Sequence, residues 1–165
     1  NFGNYFKYIS SKRYKKISVV TADEMKKEVI SRLDSTDCVI MAAAVADFKA
    51  KNINEKKIKK ENIDVMTLDL IRNDDILNLL RESKCIKIGF AAETENHQKF
   101  GLDKLKNKNL DMIIINDVSN KQIGFESDYN QVKIITKKGD IFTTEVENKK
   151  IIASEIMDKV KTIFN

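Results

Sequence analysis

The sequence predicts an α/β fold of three layers, a mostly parallel sheet with helices on both faces and an antiparallel hairpin at one margin. Three observations carry that reading. Short apolar runs rich in Val and Ile alternate with segments of helical period from Ile17 onward, the order that builds parallel sheets. The runs over 38–41 and 111–115 are nearly continuous in apolar residues, as in strands covered on both faces. Lys137-Lys138-Gly139-Asp140 separates two alternating runs, which is a hairpin signature. Together they describe a Rossmann-like arrangement in a single domain spanning 1–165, with an irregular lead-in over 1–16.

Taken in order, residues 17–20 read as a short strand. Thr21 followed by Glu24 makes a capping box, and Met25, Val29, Ile30 and Leu33 give the following helix an apolar face. The strand over 38–41 comes next, then a less regular one over 63–70. Asn73 or Asp74 caps a helix carrying Ile76, Leu77, Leu79 and Leu80. A strand begins at Cys85 and ends in Ala91-Ala92, and a lysine-rich helix follows over 95–107. After the strand over 111–115, ending at Asn116-Asp117, the segment 118–129 is polar and irregular. The hairpin pairs 131–136 with 141–146. The last helix, over 150–163, turns Ile152, Ile156, Val160 and Ile163 inward.

Composition narrows the function. The net charge is +5, but 25 acidic residues are interspersed among 30 basic ones, and no basic stripe with interleaved aromatics appears. Nucleic acid is therefore not expected as a partner. No apolar run approaches membrane-spanning length. Cys38 and Cys85 each begin an apolar run and belong to no CxxC pair, so they read as core thiols of a protein in the reducing cytoplasm. Proline is absent, where average usage near 5% would give roughly eight, a sign of compositional bias rather than of function. His97 lacks Ser, Cys or metal-ligand neighbours in the sequence and reads as a surface residue.

The chemistry concentrates at strand ends. Residues 38–48 run from an apolar strand through small alanines to one acid, Asp47. Alanines at a strand end let a ligand approach the backbone, and open α/β sheets bind ligands outside the carboxyl ends of their strands. A buried strand, an N-cap acid and a solvated loop would explain that segment alone equally well. Three such ends recur, at 43–48, 90–94 and 116–117, and a parallel sheet would bring them to one crevice. Neither GxGxxG nor GxxxxGK[ST] is present, so lysines and backbone amides would have to hold any phosphate. The candidates are Lys57, in a polar segment over 49–61 expected to act as a lid, and Lys104 and Lys108, spaced i, i+4 on one helix. No triad or metal cluster is legible, which points to chemistry done by positioning two substrates.

Several ordered motifs sharpen this. They are Val20-Thr21-Ala22-Asp23-Glu24-Met25, Ala43-Ala44-Val45-Ala46-Asp47-Phe48, Lys57-Ile58-Lys59-Lys60 and Asn73-Asp74-Asp75-Ile76-Leu77. Gly89-Phe90-Ala91-Ala92-Glu93-Thr94, Lys104 to Asp111, Asn116-Asp117-Val118 and Phe125 to Asn130 follow. In this order and spacing the set resembles the C-terminal part of bacterial phosphopantothenate–cysteine ligase, also called phosphopantothenoylcysteine synthetase. The resemblance implies that the carboxylate of 4'-phosphopantothenate attacks the α-phosphate of CTP, giving an acyl-cytidylate and pyrophosphate. Cysteine's amine then displaces CMP, with Mg2+ assisting. FMN would belong only to a fused decarboxylase half. By motif, Met41, Ala42, Ala43, Asp47 and Phe48 would contact CTP, and Asn73, Asp74, Asp75, Ile76 and Phe90 would complete its pocket. Lys57, Lys104 and Lys108 would serve the phosphates, with Lys57 catalytic. A homodimer is implied for the intact ligase.

Two departures stand out. Asn73-Asp74-Asp75-Ile76 replaces the family's Asn-Pro-Asp-Ile. The family's Gly-Gly-Thr strand and its Ser-Asn-x-Ser-Ser-Gly segment have no counterpart before Ile17 and are expected upstream. A nucleotide-binding module without ligase activity therefore stays open as an alternative. A dehydrogenase domain binding NAD is disfavoured by the missing glycine fingerprint.

Overall fold

The computed structural model describes residues 14–54, 56, 65–93, 97–117 and 127–164. The lead-in over 1–13 and most of the expected loop over 118–129 lie outside them.

The first helix, α1 (Ala22–Ile30), starts at the expected capping box: Thr21 Oγ1 accepts from the Glu24 amide at 3.1 Å, and Glu24 Oε2 accepts from the Thr21 amide at 3.3 Å. The same carboxylate takes the Val20 amide at 2.7 Å. Residues 17–20, expected as a strand, join no sheet: the cap takes the Val20 donor, and its side chain is 92% exposed. α1 ends three residues before Leu33, which opens a 3-10 turn instead, and it has no buried residue. It rests on the rim of the fold rather than in its core.

β1 (Cys38–Met41) forms as expected, but it is the edge of the sheet among the described residues, half-covered rather than enclosed. β2 (Phe48–Ala50) and β3 (Leu70–Arg72) pair as a short antiparallel ribbon, Phe48 opposite Arg72. The segment read as a loop from residue 49 thus begins in a strand. The strand expected over 63–70 is displaced: 63–64 lie outside the described residues, 65–69 are exposed and outside any strand, though the Asp69 carbonyl accepts from the Lys51 amide at 2.9 Å, and the ladder starts at Leu70. Partner availability set this register, since β2 offers only three positions. α2 is a single turn (Ile76–Leu79), capped by Asp75 rather than by Asn73 or Asp74.

β4 (Ile86–Glu93), α3 (His97–Asn107) and β5 (Met112–Asp117) follow close to expectation. The His97 side chain lies outside the described residues. β6 (Tyr129–Asn130) pairs with β9 (Glu147–Asn148), framing the hairpin of β7 (Val132–Thr136) and β8 (Ile141–Thr143). Gly139 takes the turn at φ +97°, a conformation that L side chains rarely adopt. α4 (Lys149–Ile163) closes the chain, its N-cap Asn148 accepting from the Lys150 amide at 3.0 Å.

The five-stranded sheet has the order β1-β4-β5-β7-β8. Three of its strands, β1, β4 and β5, run parallel, and neither residues 17–20 nor the segment expected as a strand over 63–70 adds to them. Alternation along β5 feeds two cores. Met112 and Ile114 join Ile88, Val132 and Ile134 against Ile152, Ile156 and Val160 of α4. Ile113 and Ile115 join Ala91 and Ile135 against Leu77, Leu105 and Leu110. Helices therefore cover both faces. The hairpin's apolar face is taken by α4, and Lys159 sits 3.6 Å from the Phe142 ring centre. Cys38 and Cys85 are free thiols, and burial pushes the Cys38 thiol up.

α3 approaches the sheet closely at Gly101, where a Cβ would lie 2.3 Å from Ile115 Cδ1 and 3.4 Å from Ile135 Cδ1. Helix propensity alone would make Gly101→Ala stabilising by about 1 kcal/mol. Both isoleucines are at most 1% exposed and cannot swing away. Overpacking should prevail, with a net loss of about 1–2 kcal/mol in urea unfolding. A gain in stability would refute the close packing.

Candidate functional site

Parallel pairing of β1 with β4 places Met41 opposite Gly89, so the chain leaving β1 emerges beside Phe90. The turn entering α2 arrives at the same place. Asn73 fixes the meeting: its backbone amide donates to the Asp47 carbonyl and its Nδ2 to the Ala46 carbonyl, both at 2.8 Å. Only 9% of Asn73 is exposed, and its Oδ1 is buried with no donor among the described residues.

The result is a cavity of about 510 Å³ at the carboxyl ends of β1 and β4. Of the residues expected to contact a nucleotide, Met41, Ala43, Asp47, Asn73, Asp74, Asp75, Ile76, Phe90 and Lys108 line it. Ala42 does not. Phe48 faces a second, more apolar hollow across the 43–46 segment, shared with Val20 and Met25. Lys104 lies one helical turn before Lys108 and is set back from the cavity by that turn. Lys57 lies outside the described residues. Of the third strand end, Asn116 is not among the described lining residues, β5 being one strand further from β1, and the Asp117 side chain is outside the described residues. Asn116 Oδ1 is nonetheless buried without a partner among the described residues.

The lining also includes Val45 and Leu77, which lie within the motifs but were given no contact there, and Arg72 and Asn78, which the sequence reading passed over. Arg72 directly precedes Asn73, and its place became visible only once β3 was found to end there.

Two of the wall's carboxylates, Asp74 and Asp75, are paired. Lys108 Nζ lies 2.9 Å from Asp75 Oδ2, while Asp75 Oδ1 accepts from the Asn78 amide at 3.1 Å. Burial pushes the Asp75 carboxyl up. The Lys108 ammonium and the backbone amides of Asn78 and Leu77 together outweigh that and hold it below the usual carboxylate range. Asp74 pairs with Lys26 of α1 at 2.7 Å. Such a pocket, with two cations beside backbone amides and an aromatic face, suits an anionic ligand that also carries a ring. Among the described residues no group of three or more His, Cys, Asp or Glu is placed to hold a metal ion, and no helix is long and apolar enough to cross a membrane.

Comparison with known proteins gives this geometry a context. The chain is 40% identical over 149 residues to the coenzyme A biosynthesis bifunctional protein CoaBC of Bacillus subtilis, covering 89% of this chain and 36% of that protein. The CoaBC protein of Escherichia coli K12 is 33% identical over 156 residues, covering 92% of this chain and 38% of its own length. The chain thus spans little more than a third of these relatives. A solved structure of the C-terminal domain of CoaBC superposes with a TM-score of 0.72 at 31% identity, covering 90% of this chain and 65% of that one. Residues 6–164 match the family model described as "DNA/pantothenate metabolism flavoprotein C-terminal domain", and the chain belongs to that family.

Proposed function

We propose that this chain forms part of a phosphopantothenate–cysteine ligase in coenzyme A biosynthesis, and that the cavity below β1 and β4 takes CTP. The observation that carries the reading is the convergence on one cavity of the 41–47 exit loop, the 73–76 turn, Phe90 and Lys108, in a chain of this family. The names of the CoaBC relatives support the pathway. In this reading Phe90 packs on the ligand's ring, while Lys108 and Arg72 face its phosphates. Asp47 contacts the ribose or base. The orphan acceptor Asn73 Oδ1 marks where a ligand N–H is expected.

The reaction proposed is the two-step ligation that the resemblance implies. Attack of the 4'-phosphopantothenate carboxylate on the α-phosphate forms the acyl–phosphate bond and expels pyrophosphate. Cationic groups fixed at the phosphates offset the charge that accumulates there. Cysteine's amine then forms the amide and releases CMP. Mg2+ would accompany the triphosphate as its counter-ion and offset its charge. Lys57 is proposed to close over the activated acyl group and exclude water. The whole ligase is proposed to work as a cytoplasmic homodimer.

Calorimetry with CTP, ATP and NAD tests the reading directly. CTP should bind, and binding of NAD without CTP would overturn it. Asp47→Asn should weaken CTP by about tenfold while changing stability by less than about 1 kcal/mol, since the residue is exposed. A large fall in melting temperature at unchanged affinity would make Asp47 a structural residue instead. In the whole ligase, Lys57→Gln should slow turnover far more than it weakens CTP binding. Equal turnover would remove Lys57 from the chemistry.

A further inference from the structure

The cavity wall carries three carboxylates, Asp47, Asp74 and Asp75, against two cations, Arg72 and Lys108. Left unanswered, that excess of negative charge would oppose an anionic ligand. Lys108 is committed to Asp75. Asp74 is answered from outside the cavity by Lys26 on α1, 48 residues upstream, with Nζ 2.7 Å from Oδ2. Lys26 also lies 3.4 Å from Asp23 Oδ1, and Asp23 is paired in turn with Lys49 of β2. The four charges alternate in sign, and Lys49 balances Asp23. The charge of Lys26 is therefore left for Asp74.

We propose that Lys26 is a positioning residue for the nucleotide. Without touching the ligand, it cancels and holds the Asp74 carboxylate so that the cavity accepts a polyphosphate. The inference rests on the reading of the cavity as a CTP site. The cation that compensates Asp74 comes from a helix with no buried residue of its own. The four-charge chain thereby ties α1, β2 and the 73–75 turn together around the cavity mouth. Losing Lys26 would leave a bare carboxylate facing the phosphates. The resulting penalty must grow with ligand charge and vanish for a neutral nucleoside.

The test is calorimetric titration of CTP, CMP and cytidine into the wild-type chain and into Lys26→Gln, Lys26→Arg, Asp74→Asn and the double variant Lys26→Gln/Asp74→Asn. Lys26→Gln should weaken CTP by about three- to tenfold and CMP less, with cytidine unchanged. Lys26→Arg should keep wild-type affinity, Asp74→Asn should tighten CTP, and the double variant should return affinity to within about twofold of wild type. Equal weakening of all three ligands would make Lys26 merely structural and overturn the proposal. So would unchanged CTP affinity in Lys26→Gln, or weakened CTP binding in Asp74→Asn, which needs no Lys26 variant to fold. A wild-type chain that binds no CTP would defeat the CTP reading itself and this inference with it. Wild-type binding with a flat Lys26 series would defeat the inference alone.

Discussion

Asn73 donates its backbone amide to the Asp47 carbonyl and its side-chain amide to the Ala46 carbonyl, and the candidate site depends on that pair of bonds. The alanine-rich exit from β1 has few side-chain contacts of its own to hold its path. A buried asparagine supplies the missing donors from another segment, 26 and 27 residues away in sequence. Burial makes the arrangement strict, because an unmatched amide or carbonyl there would carry its full desolvation cost. The same residue keeps its remaining acceptor unfilled at the cavity, so the group that builds the wall also faces the ligand space.

Around that anchor, rigidity grades outward. β5 places Met112 to Ile115 in two cores at no more than 1% exposure, and β4 lies beside it, so the cavity floor belongs to the best-packed part of the fold. The rim is different. β1 is an edge strand, β2 and β3 form a ribbon of three residues each, and α1 buries no residue. Ion pairs stand in for hydrophobic packing there: Lys108 on Asp75, Lys26 on Asp74, Asp23 between Lys26 and Lys49. Isolated exposed pairs contribute little, but linked pairs that bridge separate segments fix geometry more than they add stability. A firm floor and an electrostatically set rim suit a site that must admit and release a charged ligand.

Much of this was legible in the sequence, for reasons particular to each element. The capping box of Thr21 and Glu24 is a local signal and was realised as read. The period of Ile152, Ile156 and Val160 sufficed to orient α4. The hairpin followed from Gly139 and its flanking alternation. The elements that moved were those whose state depends on a neighbour. Residues 17–20 have strand-like composition but no partner, and 65–69 gave way to Leu70–Arg72 because β2 pairs only there. The cap of α2 shifted to Asp75, since Asn73 is used to hold the loop and Asp74 to meet Lys26.

By itself the sequence determined the fold class, the alternation of strand and helix, and the residue types at the strand ends, because these follow from short-range periodicity and from local turn and capping chemistry. The ordered motifs it carries also pointed to the family. Only the tertiary structure decided which strand ends meet. Strand order brings β1 and β4 together and sets β5 one position further off, and strand order is not encoded in any local pattern. It also decided the charge partners of Asp74 and Asp75, one on α1 48 residues before Asp74 and one in the turn just after α3, 33 residues after Asp75. Pairing across such distances depends on packing that closes the chain on itself, and a window along the sequence contains no trace of it.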